Sequence, residues 1–473
     1  MTVSASRSGA STQPLDLAAL RARIDGRVVG PNDDDYDALR MVMMGGVDRK
    51  PAVIVRVAND DDVRTVIGLA RETGLELAVR SGGHSSKGDS TTDGGIVLDL
   101  RDRKALDIDV EGRTAWGEAG LTAGEVTEAA AKHGLAIGFG DTGSVGIGGI
   151  TTGGGVGYLV RKHGLTIDNL LAADVVTADG ELLRADADTN PDLFWAIRGG
   201  GGNFGVVTRF RYRLVDLPGI VGGILVLPVN AEIIEQYIQL SEEAPEELSS
   251  IGNVMPVPPL PGVPEEWLGK LGIFALMTYA GDEAAGQKAL QPFRDLAKLA
   301  GLDAPIADML RPMTYPEMYF PEDPDYHPLA VSHNMLLVRC DRPTGQAIMR
   351  HLEALDAPMR VAQLRVLGGA MARVPNDATA FAHRNSRIMV NLAAFYEDEA
   401  DREKKQAWME AFADDIRQAD GGAYVNFVGD EGPERIREAV YPGAHWDRLR
   451  EIKRRYDPDN LFRLNQNIPP AAA

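Results

Sequence analysis

A two-glycine loop followed by a histidine is the first stretch of this sequence that could do chemistry. This histidine loop, Arg80-Ser81-Gly82-Gly83-His84-Ser85, lies between two strand-like runs at 76–79 and 96–100. Because glycine carries no Cβ, two consecutive glycines let backbone N–H groups converge on an anion. His84 follows them directly and is expected beside whatever ligand the loop binds. An isolated histidine is more often structural, so this interpretation depends on a second region.

The second region, residues 138–157, is half glycine. Its ten glycines are Gly138, Gly140, Gly143, Gly146, Gly148, Gly149, Gly153, Gly154, Gly155 and Gly157. Ordering this glycine-rich region costs much backbone entropy, which a large ligand lying along the backbone would offset. A flexible linker is the alternative, but linkers of this kind are polar, whereas apolar residues such as Phe139 and Ile147 are interspersed here. Asp141 is its only charged residue.

Four motifs resemble those of one flavoprotein family. They are R-S-G-G-H-S at 80–85, G-I-G-G-I-T-T-G-G-G-V-G-Y at 146–158, W-A-I-R-G-G-G-G-N-F-G-V-V-T at 195–208 and F-R-L-N-Q-N-I at 462–468. They extend over nearly the whole chain, and their fixed order argues against chance. The chain resembles the berberine-bridge-enzyme-like oxidoreductases, a branch of the vanillyl-alcohol-oxidase/PCMH flavoproteins.

The resemblance implies FAD as the cofactor and His84 as its covalent attachment site. In that family, the histidine of the G-G-H loop is bonded to the flavin 8α-methyl group; a histidine that only neighbours the pyrophosphate is the alternative. Many relatives have a second bond from a cysteine at the position of Thr142, so a single covalent bond is expected here. Cys340 lies far outside the motif and is interpreted as a small core residue.

The resemblance also implies how the cofactor is held. The backbone at 81–85 would cradle the pyrophosphate, and the loop at 138–149 would pass along the isoalloxazine. Asn465 and Asn467 are interpreted as flavin contacts, with turn formation as the alternative. The predicted cofactor-binding residues are Arg80, Ser81, Gly82, Gly83, His84, Ser85, Thr142, Gly143, Val145, Gly146, Gly148, Gly149, Gly155, Val207, Asn465 and Asn467. No metal site is predicted.

The predicted catalytic residues are Tyr424, Gln363, Arg365 and Asn426. The tripeptide at 424–426 matches a Y-x-N pattern whose tyrosine is the family's usual base candidate, and in a strand Tyr424 and Asn426 would share one face. A free tyrosine has a pKa of about 10, so this one needs a nearby cation at neutral pH, which Arg365 could supply. Gln363 and Arg365 share a face of another predicted strand. A structural salt bridge for Arg365 and a core-capping role for Tyr424 are the alternatives.

The expected reaction is hydride transfer from a substrate C–H bond to flavin N5, assisted by a base that takes the neighbouring O–H or N–H proton. The substrate would be a small alcohol, amine or sugar-like compound. In the family, a small residue at the position of Val145 leaves room for O2, which favours an oxidase over a dehydrogenase with another electron acceptor; plain packing is the alternative. A flavin-binding protein without turnover is the alternative to an enzyme, although the polar cluster around Tyr424 argues against it.

The predicted strands and helices that must position these residues change in their order and spacing near residue 216. Before it, strands and helices are mixed without regular βαβ spacing. Residues 200–205 match G-x-G-x-x-G, but they follow a predicted helix and open a predicted strand, so the nicotinamide interpretation fails on context. After it, strand–helix units at 273–300 and 388–417 predict an antiparallel sheet with helices on one side. Its free face would form a roof over the cofactor.

The predicted fold class is α+β, a PCMH-type FAD-binding domain plus an antiparallel-sheet substrate domain backed by helices. The limits predicted are 15–215 for the FAD-binding domain, 216–440 for the substrate-binding domain and 441–473 for a C-terminal segment that returns to the first domain. Residues 1–14 are predicted to be a disordered tail, and proline-rich loops are predicted at 254–264 and 312–328.

Composition restricts the partners and the location. The 473 residues exceed one ordinary core. The formal charge of −20 argues against nucleic acid and anionic membranes, although solubility accounts for most of it. One cysteine permits no intrachain disulfide and fits a reducing compartment. No apolar run spans a bilayer and no signal peptide is visible, so a cytoplasmic protein with a small-molecule substrate is expected. No oligomeric state is predicted.

Overall fold

The structure, a computed structural model, describes residues 15–323, 325–419, 421–429 and 432–472; the tail predicted at 1–14 lies outside them. The strands of the first half are β1 (Arg27–Val29), β2 (Val53–Arg56), β3 (Leu77–Arg80), β4 (Ile96–Asp99), β5 (Leu106–Asp109), β6 (Thr114–Glu118), β7 (Leu135–Ala136), β8 (Leu170–Val176), β9 (Leu182–Asp186), β10 (Val206–Arg213) and β11 (Val215–Asp216). Its helices are α1 (Leu17–Arg21), α2 (Tyr36–Arg40), α3 (Asp60–Thr73), α4 (Ala123–Ala131), α5 (Ile147–Gly153), α6 (Val160–His163) and α7 (Pro191–Ala196).

Two main sheets build this first half. One has the strand order β1-β2-β4-β3, with β2 and β3 both parallel to β4. The other is antiparallel and has the order β5-β6-β10-β8-β9. Because β3 and β4 run parallel, the chain must cross back between them, and the histidine loop begins this crossing at the carboxyl end of β3. That position leaves His84 at a sheet edge, where a ligand can approach it.

Helix α5 lies inside the glycine-rich region and is not predicted from the sequence. Three of its seven residues are glycine, and glycine is a poor helix former. Tertiary packing overrides this preference, because Ile147 is fully buried and its N–H donates to the carbonyl oxygen of Leu121 at 2.9 Å. The region is therefore ordered in part by the protein itself.

The second half follows β11. Its strands are β12 (Ile220–Pro228), β13 (Leu248–Pro256), β14 (Leu271–Tyr279), β15 (Ala307–Asp308), β16 (Arg311–Met313), β17 (Ala330–Leu337), β18 (Arg360–Val366) and β19 (Ile388–Phe395). The helices that follow are α8 (Ala231–Glu243), α9 (Glu283–Asp295), α10 (Arg342–Ala354), α11 (Ala370–Arg373), α12 (Glu399–Ile416), α13 (Gly432–Arg435) and α14 (Ala444–Tyr456).

The strands of this half form one eight-stranded antiparallel sheet. Its order is β15-β12-β14-β13-β18-β19-β17, and β16 also pairs with β12. Alternate residues of the long strands pack with α8, α9, α10 and α12 in a single core, so the helices cover one face. The opposite face carries a row of amides at directly paired positions, Asn253, Gln363 and Asn391. The predicted α+β class with an antiparallel sheet backed by helices is confirmed.

Several local predictions are wrong. The loop predicted at 254–264 begins inside β13, and the one at 312–328 begins inside β16. Tyr424 and Asn426 do not lie in a strand; the chain forms a 3₁₀ turn there, in which the N–H of Phe427 donates to the carbonyl oxygen of Tyr424 at 2.9 Å. Strand pairing with β14 and β12 decides the local structure in the first two segments, and a hydrogen bond from the Tyr424 N–H to the Asn334 side chain accompanies the turn in the third.

The C-terminal segment packs on the first half. Lys453 in α14 donates to the carbonyl oxygen of Asn203 at 2.8 Å and to that of Phe462 at 2.9 Å, and it forms an ion pair with Asp457 at 2.6 Å. Neither member of the ion pair is exposed. The domain limits at 215/216 and 440/441 stay predictions. Within the described ranges, no helix combines the length and the apolar character needed to cross a membrane.

Candidate active site

A cavity of about 560 Å³ lies between the two halves of the chain. One wall consists of the histidine loop, the glycine-rich region and residues 462–466, and the opposite wall consists of β17, β18, β19 and residues 424–428. The predicted site residues that line it are Ser81, Gly82, Gly83, His84, Ser85, Thr142, Val145, Gly146, Gly148, Gly149, Val207, Gln363, Arg365, Tyr424, Asn426 and Asn465. Arg80, Gly143, Gly155 and Asn467 are predicted site residues that do not line it.

Arg80 has a structural position instead of a place in the cavity wall. Its guanidinium is fully buried and donates to the carbonyl oxygens of Leu39, Arg40 and Ser90. These bonds connect the end of α2 to the segment that follows β3. Arg80 therefore fixes the frame of the histidine loop, and its charge does not face the ligand space.

The two glycine loops touch backbone to backbone. A Cβ on Gly82 would overlap the backbone nitrogen of Gly146, and a Cβ on Gly146 would overlap Ser81 Oγ. These two glycines thus permit the loops to pack on each other. Gly149 differs, because no protein atom lies within 4 Å of its Cβ position and it faces the cavity. At Gly149 the missing side chain therefore leaves space for a ligand.

His84 stands at the junction of these loops. Its Nε2 lies 3.1 Å from Ser144 Oγ, and the N–H of Ser144 donates to Glu322 at 3.2 Å. Burial lowers the pKa of His84, and the Glu322 carboxylate opposes this only in part. The ring is therefore neutral at neutral pH, and a neutral imidazole nitrogen is a nucleophile.

Tyr424 is held by two donors on its phenol oxygen. The backbone N–H of Gly155 and the Nδ2 of Asn426 each donate to it at 2.9 Å, and the Tyr424 backbone N–H donates to Asn334 Oδ1 at 2.7 Å. Burial raises the pKa of Tyr424, and the N–H donors and Arg365 offset this only in part. Tyr424 is therefore protonated at neutral pH.

Arg365 is engaged by an acidic partner. Its NH2 lies 2.5 Å from Asp141 Oδ2, and its Nε and NH2 donate to Gln363 Oε1 at 2.9 and 2.7 Å. Gln363 in turn donates to Asn253 Oδ1 at 2.9 Å, so both ends of its amide are occupied. The structure differs here from the sequence expectation, because Asp141 neutralises the cation that was expected to bring the Tyr424 pKa into the neutral range.

Asp141 and Asn391 line the cavity and were not among the predicted site residues. Asp141 had a sequence signal, since it is the only charged residue of the glycine-rich region. Asn391 had none, because its place beside Gln363 depends on the register between β18 and β19.

The residues present fit FAD. The side-chain oxygens of Ser86, Ser90 and Asn465 are buried, have no hydrogen-bond partner within the described part of the chain and belong to residues of the cavity wall. Such atoms need a polar partner, which a bound ligand can supply. Leu77 and Leu100 give the same wall an apolar part, which suits a flat ring. A long ligand with both polar and aromatic parts satisfies these requirements.

Comparison with known proteins identifies the same ligand. Residues 51–186 match the FAD binding domain family, and residues 423–469 match the family described as berberine and berberine like. The chain is 31% identical over 461 residues to (R)-6-hydroxynicotine oxidase of Paenarthrobacter nicotinovorans, covering 94% of this chain and 97% of that protein. It is 32% identical over 461 residues to the uncharacterized FAD-linked oxidoreductase YvdP of Bacillus subtilis, covering 95% and 99%. The crystal structure of 6-hydroxy-D-nicotine oxidase from Arthrobacter nicotinovorans superposes with a TM-score of 0.83 at 27% identity, covering 95% and 98%.

Proposed function

The chain belongs to the berberine-bridge-enzyme-like FAD-linked oxidoreductases, and we propose that it is an oxidase that holds FAD through a single covalent bond to His84. It acts on a small alcohol, amine or sugar-like substrate and passes the electrons to O2. The observation that carries this proposal is that His84 and Tyr424 line opposite walls of the same cavity. When bound, FAD supplies the hydride acceptor.

His84 is suited to covalent attachment by its protonation state. Burial keeps its ring neutral at neutral pH, and His84, which lines the cavity, has its Nε2 beside the Ser144 hydroxyl. Thr142 lines the cavity but has no thiol, which supports one covalent bond. The backbone at 81–85 and 142–149, with Val207 and Asn465, holds the remainder of the cofactor.

Tyr424 takes the proton from the substrate O–H or N–H group. The two N–H donors from Gly155 and Asn426 stabilise the phenolate that this role requires. Gln363 and Arg365 lie on the same wall and serve as positioning residues, since the amide oxygen and the amide nitrogen of Gln363 both already have hydrogen-bond partners. Because burial raises the Tyr424 pKa, only a small fraction of the enzyme has an ionised Tyr424 that can accept the proton at neutral pH.

The remaining parts of the proposal concern organisation, electron acceptor and location. The FAD-binding domain spans 15–215, the substrate-binding domain 216–440 and the returning segment 441–473. Val145 lines the cavity and, as a small residue, supports O2 as acceptor; a dehydrogenase with another acceptor is the alternative. The single, buried Cys340 fits a cytoplasmic location.

Two measurements test the proposal. Purified enzyme is incubated without oxygen with alcohols, amines and sugars while the absorbance of the oxidised flavin is followed; bleaching by one compound, with peroxide formed once air is admitted, identifies an oxidase. Acid precipitation of wild type and His84→Ala tests the bond. Yellow colour should stay in the wild-type pellet and leave the His84→Ala pellet. Colour retained in the His84→Ala pellet would place the bond elsewhere, and no bleaching with any compound would favour a binding protein without turnover.

A further inference from the structure

We propose that Asp141 and Arg365 form a hydrogen-bonding subsite without net charge that selects a neutral, hydroxyl-bearing substrate, with Asp141 as the residue that contacts it. This inference rests on the proposed oxidase function, because the subsite lies in the same cavity. It narrows the substrate class to uncharged alcohols and sugar-like compounds, and it excludes protonated amines.

The ion pair is rigid and mostly buried. The Arg365 side chain is 5% exposed and the Asp141 side chain 21% exposed, with 2.5 Å between NH2 and Oδ2. Gln363 Oε1 accepts two further hydrogen bonds from Arg365, and the guanidinium carbon lies 5.1 Å from the centre of the Phe427 ring. A buried charge must be paired, and here Asp141 provides the pairing.

Asp141 keeps one carboxylate oxygen for a ligand. Its Oδ2 bonds Arg365, while its Oδ1 receives no hydrogen bond from any residue in the described ranges. Asp141 lines the cavity and is the more exposed member of the pair. The wall therefore presents a charged acceptor whose charge is already compensated, and a substrate O–H other than the one that Tyr424 deprotonates can donate to it in a charge-assisted hydrogen bond.

The charges around the cavity disfavour an ionic substrate. Along the described part of the wall the acidic residues are Asp141 and Asp89, and Asp89 is paired with Lys87 at 3.2 Å. A substrate ammonium beside Asp141 also lies near Arg365, and a substrate carboxylate beside Arg365 also lies near Asp141, so the ion pair does not offset the cost of removing either ion from water. In a site of low dielectric each such approach is unfavourable, whereas a hydroxyl adds no charge.

Neighbouring strands offer partners for further hydroxyl groups. Ser332 on β17 and Asn391 on β19 also line the cavity. Both belong to the wall that carries Arg365. A substrate with more than one hydroxyl group would find donors and acceptors there without any net charge.

Three probes of similar size test the subsite on the holoenzyme: benzyl alcohol, benzylamine and benzoate. Each is titrated anaerobically, and its dissociation constant is taken from the change in flavin absorbance. Benzyl alcohol should bind about tenfold more tightly than the other two, which corresponds to one good hydrogen bond. Tightest binding of benzylamine, equal binding of all three, or no spectral change with any of them overturns the proposal. The wild-type order is a test by itself, independent of any variant.

Asp141→Asn should reverse the order. The amide keeps the shape but leaves the Arg365 charge uncompensated, so benzoate should gain about tenfold in affinity and benzyl alcohol should lose a similar factor. The double variant Asp141→Asn/Arg365→Gln should lose the gain for benzoate. Asp323→Asn removes the same charge from an exposed loop residue and should keep the wild-type order. Acid-stable flavin equal to wild type shows that each variant is folded and loaded.

The outcomes separate this inference from the proposed function. If benzylamine binds most tightly and amines bleach the flavin, the subsite is wrong and the oxidase stands. If the probes bind in the expected order but no compound reduces the flavin, the subsite stands and the oxidase is wrong. An unchanged order in Asp141→Asn overturns the role of Asp141 alone.

Discussion

The phenol oxygen of Tyr424 accepts a hydrogen bond from the backbone N–H of Gly155, with 2.9 Å between oxygen and nitrogen. Gly155 has a φ of 82°, and a Cβ there would overlap Thr166 Oγ1, so only glycine can present this N–H. The bond connects the glycine-rich region to a residue 269 positions later. The proposed base is therefore fixed by the same segment that is proposed to hold the cofactor.

Tyr424→Phe should slow anaerobic flavin reduction by about 10²-fold or more, because the ring stays and the proton acceptor is lost. Stopped-flow absorbance measures the rate. Tyr441→Phe is the matched control, since Tyr441 is equally buried but donates to the carbonyl oxygen of Gly199 and does not line the cavity. It should reduce at the wild-type rate. Equal rates in both variants would dismiss Tyr424 as the base.

The pH dependence of flavin reduction follows from the Tyr424 pKa. The base must be ionised, and burial raises its pKa above the ordinary value of about 10. The reduction rate should therefore rise with pH by up to tenfold per unit and reach no plateau below about pH 10. Tyr424→Phe should lose this slope. A plateau near neutral pH in the wild type would show that another group takes the proton.

Gly149→Ala tests whether the cofactor lies along the glycine-rich region. No protein atom lies within 4 Å of its Cβ position, so alanine should leave the apoprotein stable and favour α5 by up to about 1 kcal/mol. The methyl group would project towards the cavity, and FAD affinity should fall by about tenfold or more. Both effects are measured in the His84→Ala background, where no covalent bond to the flavin is expected, by calorimetry on the apoprotein and by flavin titration.

Gly68→Ala is the matched control for this substitution. Gly68 lies in α3, where its Cβ position is equally free, and it is not part of the cavity wall. It should raise the stability and leave FAD affinity unchanged. The same FAD affinity in Gly149→Ala and Gly68→Ala would mean that the ligand does not pass along Gly149.

Local signals in the sequence predict much of the first half. Asn59 and the three aspartates after it are typical of a helix start, and the Asn59 Oδ1 accepts from the N–H of Asp62 at 2.9 Å, while Gly74 follows the helix at φ 70°. The run at 170–176 is apolar except for Asp174, and it forms strand β8. The histidine loop can also be recognised from the local sequence, because two consecutive glycines followed by a histidine define it.

The environment of the site depends on pairings that no local pattern encodes. Asp141 and Arg365 are 224 residues apart, and Asn391 reaches Gln363 only through the register of β18 and β19. The predicted strand at Tyr424 is wrong for the same reason. Its backbone N–H bonds the side chain of Asn334, so a tertiary contact replaces the expected ladder. The residue types therefore predicted the kind of chemistry, whereas the hydrogen-bond and ion-pair partners of these residues could be found only from the three-dimensional fold.

Lys453→Met should destabilise the protein by about 3–5 kcal/mol, because it leaves the carboxylate of Asp457 buried without a cation. Neither side chain of this pair is exposed. Arg455→Ala in the same helix is the control: its partner is Asp192 and the Arg455 side chain is 63% exposed, so the loss should stay within about 1 kcal/mol. Urea unfolding measures both. Equal losses would show that the C-terminal segment does not depend on the buried pair.

Val145→Leu tests access of O2 to the reduced flavin. The backbone of Val145 is fixed, because its carbonyl oxygen accepts from the N–H of Ala123 at 2.8 Å, so the added methylene must occupy space in the cavity that Val145 lines. Reoxidation by O2 should slow by about tenfold or more, as expected when one methylene is added at a tight site, while anaerobic reduction keeps its wild-type rate. Val145→Ala should reoxidise at least as fast as wild type. If wild type itself reacts slowly with O2 and only Val145→Ala reacts fast, valine is already a barrier, and the enzyme is a dehydrogenase that delivers its electrons to another acceptor.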